Sequence, residues 1–337
     1  MQLRRLLYFG YYLKKTNWSE WLRFLQYTKR KYNTNYIRLV WDNFWSIFRY
    51  NISPLEYFQF NFFSQNEAER SSWAGTGFMY EFHRKMNPPK SRNILSDKRI
   101  FAEKYADFLQ HKSLPISQNP EHQAALEKLL DGDTKSLVLK AADANCGRSI
   151  AFVPSSNFEH VEALISYAAS NNYQLVEEKI IQHPNLQKLA PNAVNTARIF
   201  TQLRGDEVII LGCRLRISIH TSVDNLAAGN AAAPIDENSG IITGPAVFSD
   251  ITKAAITHHP MSGVEILGFQ IPHWDAAIAL VKKAAKLHPE NKSIGWDIAI
   301  TTTGPDLIEG NHDWCKLLWQ LPVQKGLKPL ILPYMSE

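Results

Sequence analysis

The sequence predicts an α+β protein with a helical, aromatic-rich extension at its N-terminus. Three observations carry that reading. Beyond residue 86, strand-like and helix-like runs alternate without a regular βαβ repeat. Two pairs of strand-like runs close naturally into hairpins around turn residues. Residues 1–63 are instead basic and crowded with aromatics, among them Trp18, Trp21, Trp41 and Trp45.

The 337 residues are enough to bury a real core and suggest two or three structural units. Composition is that of an ordinary globular chain, 45% hydrophobic and 20% charged, with no low-complexity tract or internal repeat. Cys146, Cys213 and Cys315 lie far apart in no metal-ligand spacing, which argues against a zinc site or a disulfide framework and fits a reducing compartment. The opening MQLRRLLYFGYYLKK superficially resembles a signal peptide, but its apolar run is short, rich in Tyr and closed by Lys14-Lys15 without a small-residue cleavage site. No stretch approaches the roughly 20 apolar residues of a spanning helix. The expectation is a cytoplasmic protein, with peripheral association at the inner face of the membrane as its variant.

Charge is unevenly spread. The net charge is +5, yet residues 1–50 hold ten Lys/Arg against Glu20 and Asp42, which leaves the remainder of the chain net acidic. This basic segment allows three readings: a helical cap that packs its aromatics on the main domain, a surface for an anionic membrane or a partner such as a glycosyltransferase, or a nucleic-acid site, the least favoured of the three. Asn17-Trp18-Ser19-Glu20 predicts a helix start, with Trp21, Leu22, Leu25 and Tyr32 on one side. Asn51-Ile52-Ser53-Pro54 predicts a break before another helix, and Pro88-Pro89 mark a boundary, giving an N-terminal region of 1–85 and a main domain of 86–330.

Within the main domain Ser136–Lys140 reads as a short buried strand and Ser149–Val153 as its return. Phe158–Ser170 reads as a helix and Tyr173–Glu177 as a strand. Thr196–Thr201 and Val208–Ile219 flank the turn Arg204-Gly205-Asp206-Glu207. Trp274–Leu287 places Ala277, Leu280, Val281 and Ala284 on one helical face. Ser293–Thr301 and Asp306–Asn311 form a second hairpin around Thr303-Gly304-Pro305.

That second hairpin carries the sharpest chemical signal. Alternate strand residues share a face, so Glu309 and Asn311 point together. A turn centred on Gly304 sets Asp297 opposite Asn311 and Ala299 opposite Glu309, leaving Trp296, Ile298, Ile300 and Ile308 for the core. Two carboxylates and an amide are hard oxygen donors that suit Mg²⁺; the alternative is an exposed polar edge. Ser96-Asp97-Lys98 opens a helix with Ser96 as N-cap, and Lys140 ends the strand SLVLK, so each lysine can neutralise phosphate oxygens or simply face water. Val176-Glu177-Glu178-Lys179-Ile180 runs from strand into polar loop and can meet an adenine edge and a ribose. Arg198, and Arg214 with Arg216, stand on a hairpin where they could grip a phosphate or carboxylate, or form a basic outer face. Asn225 follows in an Ala/Gly-rich loop suited to close backbone approach.

Taken in order, SDKRIFAEKYADF, SLVLK, VEEKIIQHP, VNTARIFT, RLRIS, SVDNLAAGN, HHPMSGVEILGFQIPHW and IGWDIAITTTGPDLIEGNHDW resemble the sugar-transfer-associated ATP-grasp proteins, which are related to α-L-glutamate ligases, over roughly residues 50–325. The resemblance implies an ATP-grasp fold, two α+β subdomains clasping ATP, with a lid subdomain near residues 135–180. It implies ATP and Mg²⁺ as cofactors. Lys98 and Lys140 would bind phosphates; Glu177, Glu178 and Ile180 would sit at the adenine hinge; Asp297, Glu309 and Asn311 would ligate magnesium; Arg198, Arg216 and Asn225 would face the reacting groups. The activity implied is carboxylate–amine ligation through an acyl phosphate in cell-surface polysaccharide synthesis, with small-molecule acid and amine substrates and no nucleic acid. The rivals are a kinase on the same fold and a non-catalytic nucleotide- or glycan-binding module. Two departures from the family pattern stand out, a lid loop DANCGRS with the single Gly147 and Gly229-Asn230 where Gly-Gly is usual; the altered lid is what the module reading would rest on, while the intact set Asp297, Glu309 and Asn311 favours an active enzyme.

Overall fold

The computed structural model describes residues 2–142, 150–220 and 225–336. The lid loop with Gly147 and the Val223-Asp224 segment fall outside the described residues.

Six helices open the chain: α1 (Gln2–Lys15), α2 (Trp18–Tyr32), α3 (Tyr36–Tyr50), α4 (Pro54–Gln59), α5 (Glu67–Ser71) and α6 (Thr76–Met86). Asn17 caps α2 through its side chain, as the sequence predicts. The buried side of α2 differs from the expectation: Trp21 and Leu25 are inside together with Phe24 and Thr28, whereas Leu22 and Tyr32 are half exposed. The helix points the 21/24/25/28 face inward because Phe24 and Trp21 pack edge-on against Phe58 of α4. Ser53 and Glu56 form a reciprocal capping box at α4, with Pro54 in the first turn.

Two short helices follow, α7 (Asn93–Ser96) and α8 (Lys98–Lys104). Asp97, not Ser96, caps α8: its carboxylate accepts the Arg99 N–H at 2.9 Å, while Ser96 closes α7. Next come β1 (Ser113–Pro115), α9 (Pro120–Leu130), β2 (Ser136–Lys140), β3 (Ile150–Pro154), α10 (Val161–Ser170) and β4 (Leu175–Glu178). Their antiparallel sheet has the order β1-β4-β2-β3, and α9 and α10 bury Leu126, Leu129 and Leu164 against Leu137, Leu139 and Val176.

After α11 (Pro184–Leu189) the chain builds a larger antiparallel sheet from β5 (Ala197–Arg204), β6 (Glu207–Ile217), β7 (Ala231–Ile235), β8 (Ser293–Ile300) and β9 (Pro305–Asn311), in the order β7-β6-β5-β8-β9. One face is covered by α12 (Trp274–Leu287), whose Ala277, Val281 and Ala284 join Ile199, Leu215, Trp296 and Ile298 in the main core. The opposite face is half covered by α6, by α13 (Lys316–Gln320) and by α14 (Lys328–Ile331), through a cluster of Phe82, Phe200, Trp314 and Trp319. Gly295 permits that packing, since a Cβ there would stand 2.7 Å from Cβ of Trp314. The uncovered half of this face is where the charged residues collect.

Buried Glu56 ties the N-terminal helices to the C-terminal segment. Its carboxylate accepts the Ser53 N–H at 2.8 Å and the Thr76 hydroxyl at 2.7 Å, and pairs with Lys316 Nζ at 2.8 Å. Truncation leaves the Lys316 ammonium partly buried without its counter-ion, so Glu56→Ala is expected to lower stability by about 3 kcal/mol. Urea denaturation checks this; a change under ~0.5 kcal/mol, the size of an ordinary surface substitution, would contradict the role.

Candidate functional site

Three adjacent strands line up one charged side chain each, and a fourth adds a guanidinium from two residues along. Arg198 on β5 lies directly across from Asp297 on β8, and Asp297 across from Glu309 on β9. Arg198 grips Asp297 with both Nε and Nη2, the latter at 2.8 Å from Oδ2. Arg216 on β6 adds Nη1 at 2.6 Å from the same Oδ2. Burial alone would raise the Asp297 carboxyl, but the two guanidiniums hold it far below the usual carboxylate range. Glu309 is pushed the other way, by burial and by the facing Asp297 carboxylate. The Asn311 amide donates to Glu309 Oε1 at 3.1 Å and to the Gly295 carbonyl at 3.3 Å.

The register differs from the sequence expectation. Asp297 pairs with Glu309, not Asn311, and Ala299 pairs with Asp306, not Glu309. The turn is centred nearer Thr302 than Gly304, because Ile300 pairs with Pro305. A bulge between Asp297 and Ile298 then leaves Ile308 as an extra residue on β9. The bulge exchanges faces, so Leu307 enters the core in place of Ile308. It also sets two carboxylates side by side, a tighter anionic pair than the sequence implied.

The two arginines of β6 have separate duties. Arg214 is 3% exposed and turns under α13, where Nε donates to the Trp319 carbonyl at 3.0 Å and Nη1 to the Cys213 carbonyl at 2.7 Å. Desolvation pulls its pKa down to about 10. Arg216, two residues along, reaches the open half of the face and Asp297. This resolves which of the two meets the charged row.

A second cluster links the smaller sheet to β9. Lys140, at the end of β2, forms an ion pair with buried Glu177 of β4. His111 Nε2 lies 3.7 Å from Glu177 Oε2, and its Nδ1 lies 2.8 Å from Asp306 Oδ2 on β9. Burial opposes a charged imidazole, yet Asp306 and Glu177 together raise it to about 9. Burial likewise opposes ionised Glu177, but Lys140 and then His111 bring its carboxyl down to about 2. Asp306 precedes Glu309 by three residues, about 10 Å at the usual rise of a strand. The two clusters therefore share one strand.

Lys98 lies at the first turn of α8, and its N–H donates to the Ala142 carbonyl just past Lys140 at 3.2 Å, so both lysines flank the same strand end. Glu178 turns away from Glu177: Oε2 accepts the Lys112 N–H at 3.0 Å, and Oε1 accepts the Thr134 hydroxyl at 2.8 Å. Ile180 is half buried in the stretch that leaves the smaller sheet, where Lys179 N–H donates to Ser136 O, and joins the larger one, where Gln182 bridges to Thr301. Asn225 is half buried on the loop joining β6 to β7, where its carbonyl accepts the Asn230 side chain at 3.1 Å.

The residues present fit a magnesium ion on chemical grounds. The donor set is hard oxygen, with the Asp297 and Glu309 carboxyls facing each other across β8 and β9 and the Asn311 amide beside Glu309. Sequence reasoning missed His111 and Asp306. A lone histidine between helical segments carries no pattern, and Asp306 read only as the start of a strand.

A family model described as sugar-transfer associated ATP-grasp matches residues 78–333. No curated protein matches the sequence. Among solved structures, ATP-grasp ligase PsnB with minimal precursor is 12% identical with a TM-score of 0.44, covering 74% of this chain and 62% of that one. D-alanyl-alanine synthetase A from Vibrio cholerae is 13% identical with a TM-score of 0.40, covering 74% and 63%. A carboxyaminoimidazole ribonucleotide synthase from Asperigillus clavatus is 15% identical with a TM-score of 0.39, covering 65% and 44%. The chain thus spans less than two thirds of the length of each of these structures.

Two measurements follow from the geometry. His111 has a folded pKa above its unfolded value, so its contribution is full below about pH 6.5 and lost as pH rises through about 9. The wild type should lose up to ~3 kcal/mol across that window relative to His111→Asn; parallel stability–pH curves would refute the pairing. Arg214→Ala should cost about 2–3 kcal/mol by leaving the buried Trp319 carbonyl unsatisfied, and Arg216→Ala about 1–3 kcal/mol by taking one of its two guanidinium partners from buried Asp297, in thermal or urea melts.

Proposed function

Because the chain belongs to the sugar-transfer-associated ATP-grasp family, we propose that it is an ATP- and Mg²⁺-dependent ligase that joins a carboxylate to an amine. The observation that carries this reading is the row Arg216, Arg198, Asp297 and Glu309 across four adjacent strands, where guanidiniums adjoin a closely held carboxyl pair. A bare carboxylate is a poor electrophile without a leaving group. In the proposed reaction its oxygen attacks the γ-phosphorus of ATP, the bond to the β-bridging oxygen breaks, and ADP leaves. The amine then attacks the acyl carbon, the C–O bond breaks, inorganic phosphate departs, and the nitrogen loses a proton.

Asp297, Glu309 and Asn311 would hold Mg²⁺, which supplies neutralisation of phosphate charge. Lys98 and Lys140 would take phosphate oxygens, and Arg198 and Arg216 the charge that develops on the transferred group. Glu177, Glu178 and Ile180 would meet the nucleoside, with Lys140 and His111 fixing the Glu177 side chain. Asn225 would stand near the acyl group. The catalytic task of these residues is positioning and electrostatic stabilisation, so a nucleophilic Cys or Ser is not required.

The substrate class in this reading is an acidic sugar or amino acid used in assembling a cell-surface polysaccharide, supported by the description of the family. The measurement is the thermal shift with ATP, with and without Mg²⁺, for the wild type, Asp297→Ala and Glu309→Ala. A ligand at 100 times its Kd adds about 2.7 kcal/mol. The expected outcome is a Mg²⁺-dependent rise in Tm that both variants lose, together with amine-dependent ADP release reduced about 100-fold or more in each. ADP release that needs no amine would point to a kinase, and no shift at all to a binding module.

A further inference from the structure

α3 turns its Leu39, Asn43, Ser46 and Ile47 face inward. Its opposite face carries Ile37, Trp41 and Trp45 at four-residue spacing, exposed by 78%, 75% and 61%. Indoles so bare are unusual on a protein with a well-filled core. Among the described residues nothing packs over them. Arg38 lies beside the stripe, exposed, and together with Trp41, Asp42, Trp45 and Arg70 it lines an open groove of about 500 Å³.

The charge around the stripe is mainly positive, with the acid Glu67 at its far end paired to Arg49. The last turn of α2 holds Lys29, Arg30 and Lys31, and Lys29 Nζ lies 5.4 Å from the ring centre of Tyr36 at the start of α3. The one acid of α3, Asp42, is already neutralised: Arg70 holds both its oxygens at 2.7 and 2.8 Å, and the Tyr57 hydroxyl bonds it at 2.8 Å. Residues 1–50 as a whole carry ten cations and two acids. A convex helix with tryptophans on its crest and unopposed cations at its flank complements an anionic, amphipathic surface. Indoles partition to the depth of lipid headgroups, and each Lys or Arg near an anionic leaflet adds about 1 kcal/mol. No helix among the described residues is long and apolar enough to cross a membrane, so such contact is interfacial.

We propose that the outer face of α3, with the basic end of α2, docks this protein on an anionic lipid bilayer. The occupant is the bilayer, because Ile37, Trp41 and Trp45 stand 61–78% exposed along one helix with the cations of α2 and Arg38 beside them. The inference does not rest on the ligase reading: Trp41 and Trp45 belong to none of the elements that carry the charged row.

The test is co-sedimentation of the full chain with vesicles of phosphatidylcholine alone or with 30% phosphatidylglycerol, comparing wild type with Trp41→Ser/Trp45→Ser and with Lys29→Gln/Arg30→Gln/Lys31→Gln/Arg38→Gln. The wild type should bind anionic vesicles at least tenfold better than neutral ones. Each multiple variant should lose at least tenfold while its melting temperature stays within a few degrees and any ATP-induced shift is retained. Equal sedimentation with both lipids, or none, overturns the proposal. So does binding that survives loss of both tryptophans and vanishes with salt, which describes a polyanion or acidic protein partner. Loss of the ATP shift in the wild type alone would sink the ligase reading and leave the docking surface standing.

Discussion

The Asp297 carboxylate organises the larger sheet. It is buried, and a buried carboxylate must be paired to stay ionised. Its partners come from β5 and β6, so satisfying one side chain fixes the lateral order of three strands. The residues around it follow from that demand. Gly295 is small enough for Trp314 to pack close by, Arg214 is drawn off to the Trp319 carbonyl, and Glu309 faces the paired Asp297 with the Asn311 amide as its own donor.

Hydrophobic periodicity made much of the fold legible. Trp274–Leu287 is a helix over the span its apolar spacing predicts, and both hairpins fall where turn residues separate strand-like runs. β1 escaped notice because three half-buried residues carry no alternation, and β7 because Ala231–Ala233 are too small to read as a strand. The site was legible in its residue types and less so in its geometry. Glu309 and Asn311 do share a face, but neither the turn's true centre nor a bulge is visible to alternation counting, and the two together moved the partner of Asp297 from Asn311 to Glu309. His111 and Asp306 meet across 195 residues, a contact that no local pattern encodes.

The N-terminal helices combine two of the readings that composition allowed. Trp21, Phe24 and Tyr57 pack inward as a cap requires, and Glu56 pins that cap to Lys316 near the other end of the chain. Ile37, Trp41 and Trp45 do the opposite on the neighbouring helix. One segment thus packs a structural cap inward and leaves a separate aromatic stripe exposed on α3.

The strand order has a consequence for how the chain is assembled on the ribosome. β5 and β6 are synthesised roughly 80 to 100 residues before β8, the strand that supplies their shared anion. Until β8 emerges, the β5 edge has no β8 to pair with, and the anion that Arg198 and Arg216 share has yet to be made. Like charges on an open edge discourage one nascent chain from pairing with another. The guanidiniums that later grip Asp297 therefore also guard the unfinished sheet while it waits for the strand that completes it.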